Sequence, residues 1–453
     1  MTRGKNTACK LATHVTSATN KREHTFIREV FTMTRGKNTM RNFAISAALA
    51  MLLCFNMVLP VFAGPIFGTS EAPADIALTK ILTMGEGVTT PDVTFTFEFT
   101  SVSVNDIPAT ETNMPVLGTR TIGFSAMDVG TTLNGVKTVP KETAPIFANI
   151  TWPHAGVFTY TVTERQYITE TLATGEAINF SQAEYEIVVY VANGPDGGLF
   201  IAAIASIIEV TDGIPGTERG DKVDGTPGGD PDIDGDYSKV TFTNRFARLN
   251  SLVISKVVNS AANAAHDFAN RERFFNFEVT VTKSNANPNT AQTYRAFVRD
   301  ESGAVITGED NYAGIIETDP VDGAYIVFTT GEQKTVNLKH GQWLSFPDLE
   351  AGAAYTVTEL GVEHFTPSCN QTVGEDIRFH QGTANTNLVI PTTLITEIAN
   401  RADFVNTYRT ITPVGISVDN LPYIILIVLG AAALTAYIVV KSRKKGYVRH
   451  TVR

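Results

Sequence analysis

The chain has 453 residues, enough for two or three domains, with 36 basic and 46 acidic side chains. The acid is concentrated: between residues 64 and 440 there are 21 basic and 44 acidic residues, and a body that acidic repels phosphate backbones, which argues against nucleic acid as a partner. Of the three cysteines, Cys9 and Cys54 fall in a segment expected to be removed, so only Cys369 would remain and no internal disulfide could form.

The first seven residues, Met1–Thr7, recur at Met33–Thr39, which points to a true start at Met33 or Met40. Arg35, Lys37 and Arg41 then form a basic region, residues 43–59 an apolar one, and Val61–Ala63 a small-residue end before Gly64. This is the pattern of a secretory signal peptide, so residues 1–63 read as an upstream extension and export signal.

From about residue 74, short β-branched and aromatic runs alternate with Gly, Asn, Asp and Pro. Strands are expected over Ile76–Leu82, Val93–Thr100, Val157–Glu164, Tyr185–Val191, Leu199–Val210 and Lys239–Phe246. The one helix candidate is Thr171–Glu184. Thr211–Asp236, rich in Gly, Asp and Pro, reads as a flexible loop. Within it Asp230, Asp232, Asp234 and Gly235 resemble the start of a calcium loop, but Thr241 stands where the closing Glu belongs, so no metal site is expected.

A second round begins at Ser251–Val258. Phe275–Thr282 echoes Phe95–Thr100, further strands fall at Thr293–Arg299, Tyr325–Thr330 and Thr335–Leu338, and Tyr355–Glu359 repeats Tyr160–Glu164. The round closes with Ala402–Tyr408. The expected architecture is all-β: two tandem Ig-like β-sandwich domains over residues 74–248 and 249–409. Residues 410–453 then supply a stalk, an uncharged apolar run at 421–440 long enough to cross a bilayer as a helix, and a basic stop from Lys441 to Lys445. Neither domain shows a phosphate loop, a nucleophile elbow or a histidine metal motif, so no cofactor and no external substrate are expected.

The chemistry lies in strand parity. Lys80 shares a face with Leu78 and Leu82, Glu164 with Tyr160 and Val162, and Asn244 with Val240, Phe242 and Phe246. The second domain repeats this with Lys256 between Ile254 and Val258, Glu359 with Tyr355 and Val357, and Asn406 with Phe404 and Tyr408. Any one of these could be a strand-end residue with its tip in water. The same triple, in the same order and parity, twice, points instead to a reaction. A buried lysine loses its proton and becomes a nucleophile, and a buried, protonated carboxyl can polarise the Asn carbonyl and shuttle protons. Loss of ammonia would leave a Lys–Asn isopeptide bond across the domain. Glu164 and Glu359 would be the catalytic acids.

These triples, with the Tyr160–Glu164 and Phe242–Asn244 segments and their copies, resemble Gram-positive pilins and cell-wall-anchored surface proteins that carry intramolecular isopeptide bonds. The first domain resembles the streptococcal FctA-like pilin domain and the second a CnaB-like module. The C-terminus resembles a sortase sorting signal, with Ile411, Thr412, Pro413, Val414 and Gly415 as the motif. It departs from the family pattern at Val414, where the family has Thr, and a retained membrane anchor through 421–440 is the alternative. The resemblance implies a sortase-type transpeptidase, other pilin subunits or peptidoglycan as partners, and a surface lysine that joins subunits; Lys239 is the best placed, but the family's Tyr-Pro-Lys context is absent and an ordinary solvated lysine is the alternative. A monomeric adhesin is the competing reading, binding a host or neighbouring-cell ligand through loops such as Asp106–Gly118 or Glu309–Gly323.

Overall fold

Burial alternates along the strands as their sequence period requires. In Gly156–Glu164, for example, Phe158, Tyr160, Val162 and Glu164 are buried while the threonines between them are half-exposed. The computed structural model describes residues 64–213, 217–228, 237–260, 264–409 and 421–447. The export signal, the Asp230–Asp236 loop and the Ile411–Gly415 motif lie outside the described residues.

Among these residues the body is nearly all β, with two separate hydrophobic cores. In the first sandwich one sheet carries Leu199–Val210, Glu184–Asn193, Gly156–Glu164 and Val93–Val104 side by side. The facing sheet carries Thr79–Gly85 between Val136–Glu142 and the start of a long strand, Thr241–Asn259. In the second sandwich a four-stranded sheet, ordered Gln333–Leu338, Phe275–Thr282, Ala354–Glu359 and Leu388–Leu394, faces a sheet built on the far half of Thr241–Asn259. There the long strand pairs with Trp343–Glu350 on one side and, in parallel, with Asn400–Tyr408 on the other.

The strands expected at 239–246 and 251–258 are thus one element. Thr241–Asn259 has 19 residues and crosses from one core to the other, with Phe242, Asn244 and Phe246 buried in the first and Leu252, Ile254 and Lys256 buried in the second. Its middle is clamped by charge: Arg245 pairs with Glu350, and Arg248 pairs with both Glu176 and Glu397. Glu397 also accepts the backbone N–H and the hydroxyl of Thr89, at 2.9 and 2.7 Å. Two glycines also approach each other at this boundary. A Cβ on Gly352, whose φ is 84°, would lie 2.7 Å from the Gly85 Cα.

The helix expected over Thr171–Glu184 does not form. Gly175 sits at φ 85°, which breaks a right-handed helix, and Glu176–Asn179 instead pairs antiparallel with Arg245–Arg248 of the long strand. A short helix, Ala264–Arg271, stands where none was expected. Strands at Arg120–Phe124, Val136–Glu142 and Phe365–Val373 are additional to the expected set. Near the C-terminus, Leu421–Tyr447 is helical, and its Pro422–Ser442 stretch, with mean hydropathy 2.5, is long and apolar enough to cross a membrane.

Candidate functional site: two buried lysine–glutamate–asparagine clusters

Each cluster is assembled by the same register. In the first sandwich the parallel ladder sets Lys80 beside Phe242, so Asn244 lies two residues further along the neighbouring strand and on the same face. In the second, Lys256 is set beside Phe404 and Asn406 again lies two residues further on. Strand rise and spacing make such a diagonal roughly 8 Å between backbones, within reach of a lysine side chain folded toward its neighbour. Glu164 and Glu359 come from the facing sheets, each registered against a phenylalanine, Phe97 and Phe277.

The side chains meet. Lys80 Nζ lies 2.8 Å from one Glu164 oxygen, and Asn244 Nδ2 donates to the other at 2.7 Å. Lys256 Nζ and Asn406 Nδ2 both donate to Glu359 Oε1, at 2.6 and 2.7 Å. Lys80, Asn244 and Lys256 have no exposed surface, and Glu164, Glu359 and Asn406 have at most 3%. An aromatic wall keeps water out of each cluster. The Lys80 amine sits 4.7 Å from the Phe95 ring centre and Lys256 4.2 Å from Phe275. The Phe97–Phe242 and Phe277–Phe404 pairs close the far sides, at 5.0 and 5.1 Å.

Burial dominates the proton affinities. Desolvation pulls both lysines from their ordinary range to about 8, opposed by the adjacent glutamates. The same desolvation pushes Glu164 and Glu359 up, opposed by the lysines. Each pair is therefore poised to pass a proton between amine and carboxyl. The carboxylates face the asparagine nitrogen, which is the leaving-group side, whereas the sequence pattern had suggested contact with the carbonyl.

The carbonyl is treated differently in the two clusters. Asn244 Oδ1 accepts the backbone N–H of Ser181 at 2.6 Å. Asn406 Oδ1 and Glu359 Oε2 are buried with no hydrogen-bond partner among the described residues. Ser181 is in turn tied to Asp212, whose carboxylate also accepts backbone N–H groups from Gln182, Ala183 and Thr243. Sequence parity gave no sign of either residue, because both lie in loops between strands.

Cys369 is buried on the strand beside Phe404, and desolvation raises its thiol far above the ordinary range, leaving it unreactive. Lys239 is exposed but precedes the long strand, which begins at Thr241, rather than lying on it.

Residues 76–247 match the family model of the Spy0128-like isopeptide containing domain, FctA, and residues 250–408 match that of a domain of unknown function, DUF7601. No curated protein matches the chain in sequence. Among solved structures, the major pilin from Streptococcus pyogenes is similar over 74% of this chain and 99% of its own, at 18% identity and a TM-score of 0.30. The T3.2 major pilin from Streptococcus pyogenes is similar over 74% and 97%, at 17% identity and 0.30. A pilus-presented adhesin, Spy0125 (Cpa), is similar over 75% and 100%, at 11% identity and 0.24.

Proposed function

We propose that this chain, pilin-like by the FctA domain that makes up its first sandwich, is a surface-anchored pilus subunit of a Gram-positive cell whose only chemistry is on itself. In each cluster the neutral lysine Nζ attacks the asparagine Cγ. The protonated glutamate delivers its proton to Nδ2 and takes up the one that the amine sheds, the Cγ–Nδ2 bond breaks and ammonia leaves, so that a Lys–Asn amide remains. The observation that carries this reading is the duplication: two fully buried Lys–Glu–Asn contacts, Lys80–Glu164–Asn244 and Lys256–Glu359–Asn406, built with the same strand offset in two cores.

An isolated ion pair buried this deeply is a poor stabiliser, since desolvating the charges costs several kcal/mol. A covalent bond in its place is irreversible and removes both charges. Mass spectrometry of the full chain, extracted in detergent and digested, tests the proposal. Peptides joining Lys80 to Asn244 and Lys256 to Asn406 should appear, each lighter by one ammonia. Glu164→Gln and Glu359→Gln should each abolish one of them. Separate, unjoined peptides in the unsubstituted protein would remove the proposal.

The membrane-length helix and the basic residues after it support anchoring at the cell surface, with a sortase-type transpeptidase acting at Ile411–Gly415. Assembly with other subunits would use Lys239, which is exposed. High-mass ladders in denaturing gels of surface extracts, lost on Lys239→Ala, are the expected result. A single band unaffected by that change would count against a polymer.

A further inference from the structure

The two clusters differ at the one atom that gains charge during the reaction. As the amine adds to Cγ, an electron pair moves onto the asparagine Oδ1, and in a site buried away from solvent that charge needs a fixed donor. We propose that the Ser181 N–H is that donor, a catalytic group for closure of the Lys80–Asn244 bond, and that Asp212 is the positioning residue that holds it in place. The second sandwich has no equivalent, because Asn406 Oδ1 meets no donor among the described residues. This deepens the self-cross-linking reading and rests on it.

The geometry is specific. A backbone N–H can only donate, so its 2.6 Å contact fixes Oδ1 toward Ser181 and Nδ2 toward Glu164, with attack and departure separated from the developing oxyanion. Ser181 itself is 2% exposed. Asp212 gathers four donors on one carboxylate: the Ser181 hydroxyl at 2.7 Å, the N–H groups of Gln182 at 2.8 Å and Ala183 at 3.0 Å, and that of Thr243 at 2.9 Å. It therefore ties the turn that carries the donor to the residue immediately before Asn244. Nζ–Cγ forms and Cγ–Nδ2 breaks, the pair on Oδ1 returns as the amide, and the proton reaches the departing ammonia through Glu164. No further reactant is needed.

The test follows both bonds in one molecule. The full chain is made by in vitro translation, and each joined peptide is quantified over time by mass spectrometry. Replacing Ser181 with its α-hydroxy acid analogue turns that N–H into an ester oxygen and leaves the side chain unchanged. Closure of Lys80–Asn244 should slow about 10²-fold, while Lys256–Asn406 closes at its usual rate. Ser181→Ala keeps the N–H and should close at close to the unsubstituted rate. Asp212→Asn turns one acceptor into a donor facing the Ser181 hydroxyl and the Thr243 N–H. It should slow the first bond about tenfold yet reach full extent and the same final melting temperature, which a merely structural role would not give. Unaltered closure in the ester chain overturns the proposal, as does Ser181→Ala slowing closure as much as the ester. Should the ester chain fail to fold, an unaltered rate in Asp212→Asn overturns it. If neither joined peptide forms in the unsubstituted chain, the self-cross-linking reading fails first.

Discussion

The same apolar surroundings weaken the charged form of both Lys80 and Glu164, and because they touch they titrate as a pair. The reactive pair holds one proton between amine and carboxyl. On the acid side it takes up a second, the amine is charged and attack stops. On the alkaline side, above the lysine value of about 8, it loses the proton needed by the leaving ammonia. The rate of appearance of the Lys80–Asn244 peptide should therefore be bell-shaped in pH, and a rate still rising well above pH 8 would show that no acid is required. These side chains were legible in the sequence because a period of two assigns each one to an apolar face. Ser181 and Asp212 were not. One acts through its backbone and the other through turn geometry, and neither leaves a periodic trace.

At the scale of elements the long strand Thr241–Asn259 does two jobs. Its first half completes the first core and its second half opens the next, with the Arg245 and Arg248 ion pairs fixing the crossing. The close approach at Gly352 makes the joint sensitive to a single carbon. Gly352→Ala places a side chain at φ 84° and drives its Cβ into the Gly85 backbone. A loss of about 1–3 kcal/mol in denaturant unfolding is expected from the backbone strain alone, and no measurable loss would mean that the turn relaxes to accept the side chain. The strands on either side of the boundary were readable, but their fusion was not, since Ala247–Ser251 carries no strong strand pattern and is held by partners far away in sequence. The hairpin at Asn134-Gly135, with both residues at positive φ, has a local turn signal, but its flanking strand has few large apolar residues and so lacks a clear alternating pattern. Over Thr171–Glu184, where a helix was expected, Gly175 at φ 85° breaks the right-handed path.

For the molecule as a whole, the proposed bonds supply the kind of stabilisation a disulfide would give, in a body whose described cysteine, Cys369, is unpaired. Closing nearly the whole of one sandwich into a loop restricts the unfolded chain by about 5 kcal/mol on the loop-entropy model. Asn244→Ala removes the bond while leaving the Lys80–Glu164 contact, and should lower the melting temperature of the first sandwich by roughly 10–20 °C in calorimetry. An unchanged melting temperature would mean that no bond was present to lose. The long strand has one more consequence, which concerns how the covalent framework is connected. Asn244 and Lys256 lie on it, so with both bonds closed the body becomes two rings joined only by residues 244–256. A protease cutting anywhere within 81–243 or within 257–405 opens a ring and releases nothing. Only a cut in the short tie between the rings can divide the body, and that tie is paired to neighbouring strands over much of its length.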